Sequence, residues 1–125
     1  MTFVLLQHDP PAAAPGEPTA FPTHWDFMLE TSPDGPLATW RFGEDPTARV
    51  GPIEAERIDD HRRVYLDYEG EVSGGRGRVR RADKGPAVVI EARTGHVLIE
   101  LSGNLLRGRF AIDTDDAGRG VFRPA

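Results

Sequence analysis

Cysteine is absent from this 125-residue chain, which excludes disulfides, thiolate metal sites and cysteine nucleophiles. Any bound metal must be held by nitrogen and oxygen donors. The absence suits a reducing cytoplasm, the expected location. Long apolar runs are missing as well: nothing approaches the roughly 18 residues needed to span a bilayer, and residues 1–7 are too short and uncharged for a secretory signal. A soluble protein with no membrane partner is expected. Excess positive charge is also lacking, since Lys+Arg 15 against Asp+Glu 20 gives a net charge of -5. That balance argues against a surface that coats nucleic acid non-specifically, but not against a local patch that takes a strand end. What the chain has instead is Gly 14 and Pro 11 scattered among Val, Ile and aromatic residues, a composition of short strands and turns.

Read in order, strands are expected over residues 2–8, 24–31, 37–42, 64–68, 87–92, 97–101, 105–112 and 121–123. Residues 43–52 read as an irregular connection, acidic in its first half, residues 53–58 carry no clear period, and the Pro- and Ala-rich stretch 10–23 reads as a surface loop. Residues 32–36 and 83–86 read as hairpin turns, and the acidic run 113–118 as a turn that lacks the closing glutamate of a calcium loop. About eight strands and no convincing helix predict an all-β fold, a small single-domain β-barrel or sandwich. One core of that size buries about two thirds of the unfolded surface.

Chemistry concentrates in His24-Trp25-Asp26-Phe27-Met28-Leu29-Glu30. On a strand, His24, Asp26, Met28 and Glu30 share one face and Trp25, Phe27 and Leu29 the other. An imidazole and a carboxylate two residues apart are near enough to converge on one divalent cation, and His8 is the first candidate for a third ligand. On their own, His24 and Asp26 would read as ordinary polar residues of a half-buried strand. Trp25, Phe27, Trp40 and Phe110 are expected in the core, and His96 as a solvated turn histidine. The alternation of Val64, Leu66 and Tyr68 against Tyr65 turns Tyr65 away from the apolar side.

Three blocks carry a resemblance. Gln7-His8 followed by His24-Trp25-Asp26-Phe27-Met28-Leu29-Glu30 resembles the signature of the 3′-phosphoesterase domain of bacterial DNA ligase D and its stand-alone relatives. Asp60-His61, with Tyr65 four residues on and then Asp67-Tyr68-Glu69-Gly70, is similar to a second family segment at identical spacing. Leu101-Ser102-Gly103-Asn104-Leu105-Leu106-Arg107-Gly108-Arg109-Phe110 resembles a third. The resemblance implies a crescent-like β-barrel with its active site on the concave face. It also implies a Mn²⁺-dependent activity that trims 3′-phosphates or 3′-ribonucleotides from nucleic-acid ends in DNA repair. Zn²⁺ is the alternative metal. By the same resemblance His8, His24 and Asp26 match the metal ligands, and His61 and Tyr65 match side chains that meet the scissile phosphate.

The chain departs from the family at Met28, where the family carries an arginine able to clamp the phosphate. Arg41, Arg57, Arg76 or Arg78 are the candidates to supply that charge. The basic run 76–81 fits a nucleic-acid guide or the charged face of an edge strand equally well. The spacer between the first two histidines is also longer than the family's, by about ten residues. Three functional expectations follow: a monomeric phosphoesterase acting on DNA or RNA 3′ ends, beside an end-joining ligase or polymerase; a non-catalytic module that binds such ends or a repair partner; or an enzyme for a small phosphate ester.

Overall fold

The computed structural model describes residues 1–48 and 51–125. It is all-β: β1 Thr2–Asp9, β2 His24–Glu30, β3 Leu37–Phe42, β4 Ile53–His61, β5 Gly70–Glu71, β6 Arg78–Arg93, β7 His96–Ser102, β8 Arg107–Thr114 and β9 Arg119–Pro124, with one 3₁₀ turn at Arg63–Leu66. The strands form one antiparallel sheet in the order β1-β2-β3-β4-β9-β8-β7-β6-β5. Because β1 also pairs with β6, eight of the strands close into a ring, and the short β5 hangs on the outside of β6. Among the described residues no helix is long and apolar enough to cross a membrane.

Alternation along each strand sorts side chains to the two faces of the wall. Phe3, Leu5, Phe27, Leu29, Phe42, Ile99, Leu101, Ile112 and Phe122 point into the ring and form the main core. Phe27 sits among Phe3, Phe42 and Phe122, with centroids 5.6, 5.9 and 5.9 Å away. Trp40 is buried in this core, and Trp25 and Phe110 pack against it. A second cluster lies on the outer face of the wall, where Val4, Leu6, Met28, Leu37 and Val79 are covered by Tyr65, Leu66, Tyr68 and Val72. The segment between β4 and β6 therefore folds back as a flap over β1, β2 and β3.

Four sequence expectations change. Residues 64–68 are not a strand: the N–H groups of Tyr65 and Asp67 donate to the carbonyls of Arg62 and Val64, 3.1 and 3.2 Å away, a three-residue repeat. Such a turn brings Tyr65 and Leu66 together against the outer cluster and leaves Val64 exposed, so Tyr65 faces the apolar side, not away from it. Residues 83–86 are not a hairpin turn either, because β6 runs straight through them. At Pro86, which has no N–H to donate, β6 leaves β1, and from Ala87 it pairs with β7. The aperiodic stretch 53–58 belongs to β4, which continues to His61. His96 is not a free turn histidine; it is part-buried, with Nδ1 2.5 Å from Oδ1 of Asp113, its cross-strand partner. The irregular connection expected over 43–52 includes residues 49 and 50, which lie outside the described residues.

Candidate metal centre

His8 lies next to the end of β1 and His24 opens β2, and the antiparallel register makes them direct partners. Asp26 follows one pleat further along the same outer face. The three side chains converge: His8 Nδ1 lies 3.8 Å and His24 Nε2 3.6 Å from Asp26 Oδ2. All three candidate donor atoms fall within 4.8 Å of one another. His24 and Asp26 are buried, 6% and 2% exposed, and His8 is half-buried.

The remaining imidazole nitrogens are fixed by main-chain carbonyls. His8 Nε2 donates to the carbonyl of Arg76 at 2.7 Å, and His24 Nδ1 to that of Pro22 at 3.3 Å. A donating N–H on the outside assigns a lone pair to the inside, so two neutral imidazoles and a carboxylate aim lone pairs at a common point. The Arg76 carbonyl reaches His8 because Gly77 lets the chain graze β1. Its φ is +89°, and a Cβ there would stand 1.9 Å from the carbonyl oxygen of Asp9.

Two buried polar atoms at this point, His24 Nε2 and Asp26 Oδ1, have no hydrogen-bond partner among the described residues. Orphaned polar atoms in a buried site carry a desolvation penalty of about 1–3 kcal/mol each unless an ion or a proton satisfies them. The donor set of two imidazoles and one carboxylate fits a divalent transition metal such as Mn²⁺ or Zn²⁺. Burial alone would push the Asp26 carboxyl up. The close approach of the His24 and His8 imidazoles and the nearby charge of Arg41 outweigh it and hold the group well below the usual carboxylate range. His8 is shifted upward, mainly by its contact with Asp26.

Around the triad opens a cleft of about 1020 Å³. His61, from the end of β4, and Tyr65, from the 3₁₀ turn, line it with ring centroids 5.8 Å apart. His61 Nδ1 donates to the carbonyl of Asp59 at 2.9 Å, which fixes the ring and leaves Nε2 as its second hydrogen-bonding atom. A bulge in β4 opposite residues 37–39 sets His61 across from Leu37 on the outer face.

Of the four arginines proposed to replace the family's clamp, the structure brings Arg41 to the centre. It is the cross-strand partner of Asp26, with Nε 3.8 Å from Asp26 Oδ1. Arg76 lines the cleft, but its side chain is tied to Ser73, with Nε 2.7 Å from the carbonyl oxygen. Arg57 is placed elsewhere, because alternation along β4 turns it away from the face of Glu56. Its guanidinium lies 5.1 Å over the Trp40 ring and bonds Asp60 at 2.6 Å, beside a separate cavity of about 370 Å³. Arg78 stands in solvent, 3.6 Å from Glu71, and does not line the cleft.

Sequence reading missed Arg119 and Phe21, which also line the cleft. Arg119 enters through the pairing of β9 with β4, where it faces Glu56, itself the partner of Arg41. No local sequence signal marks such a long-range register. Met28 is packed into the outer cluster at 1% exposure, so its thioether serves apolar packing beneath the flap. No family model matches this sequence, and no curated protein does either.

Proposed function

We propose that this protein is a divalent-metal-dependent phosphoric ester hydrolase of the ligase D 3′-phosphoesterase kind, acting on the 3′ ends of nucleic acids. The observation that supports it most is the convergence of His8 Nδ1, His24 Nε2 and the Asp26 carboxylate, with both outer imidazole nitrogens already bound to carbonyls. A divalent cation held there supplies Lewis-acid polarisation of a phosphoryl oxygen and lowers the pKa of bound water. Arg41, beside Asp26 on β3, takes the place of the family's strand-borne arginine and binds the phosphate through its guanidinium. Such a contact, stronger as charge builds on the phosphate, is worth about 3 kcal/mol. His61 Nε2 delivers a proton to the leaving oxygen, and the Tyr65 hydroxyl donates to a non-bridging oxygen. Mn²⁺ is the proposed metal, with Zn²⁺ the alternative.

Met28 favours a second reading, a non-catalytic module that holds strand ends, because the family's clamp residue has become part of an apolar cluster. Hydrolysis decides between the two. A primer-template bearing a 3′-phosphate is incubated with Mn²⁺ and, separately, with chelator, using wild type and His61→Ala. Metal-dependent appearance of a 3′-hydroxyl that is lost in the variant is the expected result. Tight, metal-dependent binding of the same end without conversion would replace the enzyme by the module.

A further inference from the structure

Of the six phenylalanines in the chain, Phe3, Phe27, Phe42 and Phe122 are buried in the core and Phe110 packs against it, whereas Phe21 belongs to neither hydrophobic cluster. Phe21 is half-buried, lines the cleft, and has as ring neighbours the two imidazoles of the metal centre. Its centroid is 5.1 Å from that of His8 and 5.5 Å from that of His24, inclined at 67° and 52°. An aromatic ring that contributes nothing to the core yet stands half-open at a charged centre has a cost in exposed apolar area, and a ligand ring would relieve it.

The local chain presents this ring in a fixed way. Pro22 restricts residue 21 to extended backbone. The Pro22 carbonyl is the acceptor for His24 Nδ1, and the hydroxyl of Thr23 donates to Asp9 Oδ1 at 3.0 Å. The end of the 10–23 connection is thus pinned to β1 and β2, and Phe21 is held against the centre on the β1–β2 side while Arg41 approaches from β3.

Building on the phosphoesterase reading, we infer that Phe21 is a specificity-determining residue, a stacking platform for the nucleobase of the terminal nucleoside whose ester is cut. Arg41 and the metal centre take the phosphate, and Phe21 takes the flat ring attached to the same sugar. The substrate class is then a nucleoside 3′-ester, and a simple alkyl phosphate is a poor ligand. Stacking of a base on an aromatic side chain is sequence-tolerant, so every base is accepted.

The test is calorimetric and needs no turnover. A non-hydrolysable 3′-phosphonate of adenosine and the same sugar phosphonate lacking its base are titrated, in excess Mn²⁺, into wild type, Phe21→Ala and Phe21→Trp, and Mn²⁺ affinity is measured separately for each. Wild type and Phe21→Trp should prefer the nucleotide by about tenfold. Phe21→Ala should lose that preference while its affinity for Mn²⁺ and for the base-free ligand stays unchanged. Equal affinity of wild type for the two ligands would overturn the platform. So would a Phe21→Ala variant that weakens Mn²⁺ and both ligands alike, since Phe21 would then only shield the imidazoles. An intact preference for the nucleotide without any hydrolysis of 3′-phosphorylated ends would sink the phosphoesterase reading and leave the platform standing.

Discussion

His8 and His24 face each other as partners across the β1–β2 ladder, ring centroids 4.7 Å apart, each donating its outer N–H to a carbonyl from a different connection. The carbonyls come from the flap and from the 10–23 loop, so two irregular segments orient the two imidazoles. Metal binding should therefore stabilise the fold as well as the site. At a Mn²⁺ concentration about 100 times the dissociation constant, linkage contributes about 2.7 kcal/mol, a rise in Tm of about 10 °C. His24→Ala should fold, give a wild-type circular dichroism spectrum and show no such rise. A full rise in that variant would place the ion elsewhere.

Arg41 and Arg57 sit on neighbouring strands but on opposite faces of the wall. Arg41→Ala should lower kcat by about a hundredfold on a 3′-phosphorylated end, with Mn²⁺ affinity retained. Arg57→Ala should leave kcat unchanged. Equal losses in the two variants would mean that neither acts through direct contact with the phosphate.

Glu30 connects the flap to the wall. Its carboxylate accepts from the Arg63 guanidinium and, at 3.0 Å, from the N–H of Thr2, while Arg63 also donates to the carbonyls of Ser32 and Gly35 at 3.1 and 3.2 Å. The Arg63 hydrogen bond is the main cause that holds the Glu30 carboxyl below its ordinary value of 4.5. A lowered folded value stabilises the protein above pH 4.5, and that stabilisation is lost as pH falls through the folded value. Glu30→Gln should thus cost about 1–2 kcal/mol in urea unfolding near neutral pH. Its difference from wild type should shrink in acid. A difference that persists unchanged in acid would show that the charge of Glu30 is not what matters.

Asp83 holds the β7–β8 connection. Buried at 3% exposure, its carboxylate accepts from the N–H groups of Asn104, Leu105 and Leu106 at 2.9, 3.2 and 2.7 Å. Asp83→Ala leaves three amides without their acceptor and should lower stability by about 3 kcal/mol or more. Gly103→Ala should be similarly damaging, because a Cβ would stand 2.4 Å from Asp83 Oδ2 and 2.7 Å from Phe3 Cζ. Thermal unfolding of both variants tests this, and an unchanged Tm for either would remove the anchoring role.

The block 101–110, singled out for its family resemblance, owes its pattern here to this packing. Leu101 and Leu106 are core, and Gly103 makes room for a carboxylate that lies on β6. Spacing alone showed the glycine and the leucines but not Asp83, which reads locally as part of an Asp-Lys-Gly-Pro turn. The same limit misplaced residues 64–68. Alternating apolar residues fit a strand, but an apolar cluster on the outer wall rewards a 3₁₀ turn that lays Tyr65 and Leu66 onto it.

By itself the sequence determined the all-β class, most strand positions and the grouping of His24 with Asp26 on one face. Those properties rest on turn residues and on the two-residue period of a strand, both of which are local. Only the tertiary structure decided that β1 closes on β6, that His8, His24 and Asp26 meet on the outer wall beside a flap, and that Arg41 and not Arg57 approaches Asp26. Ring closure and strand register depend on contacts between residues far apart in the chain, and no local pattern encodes them.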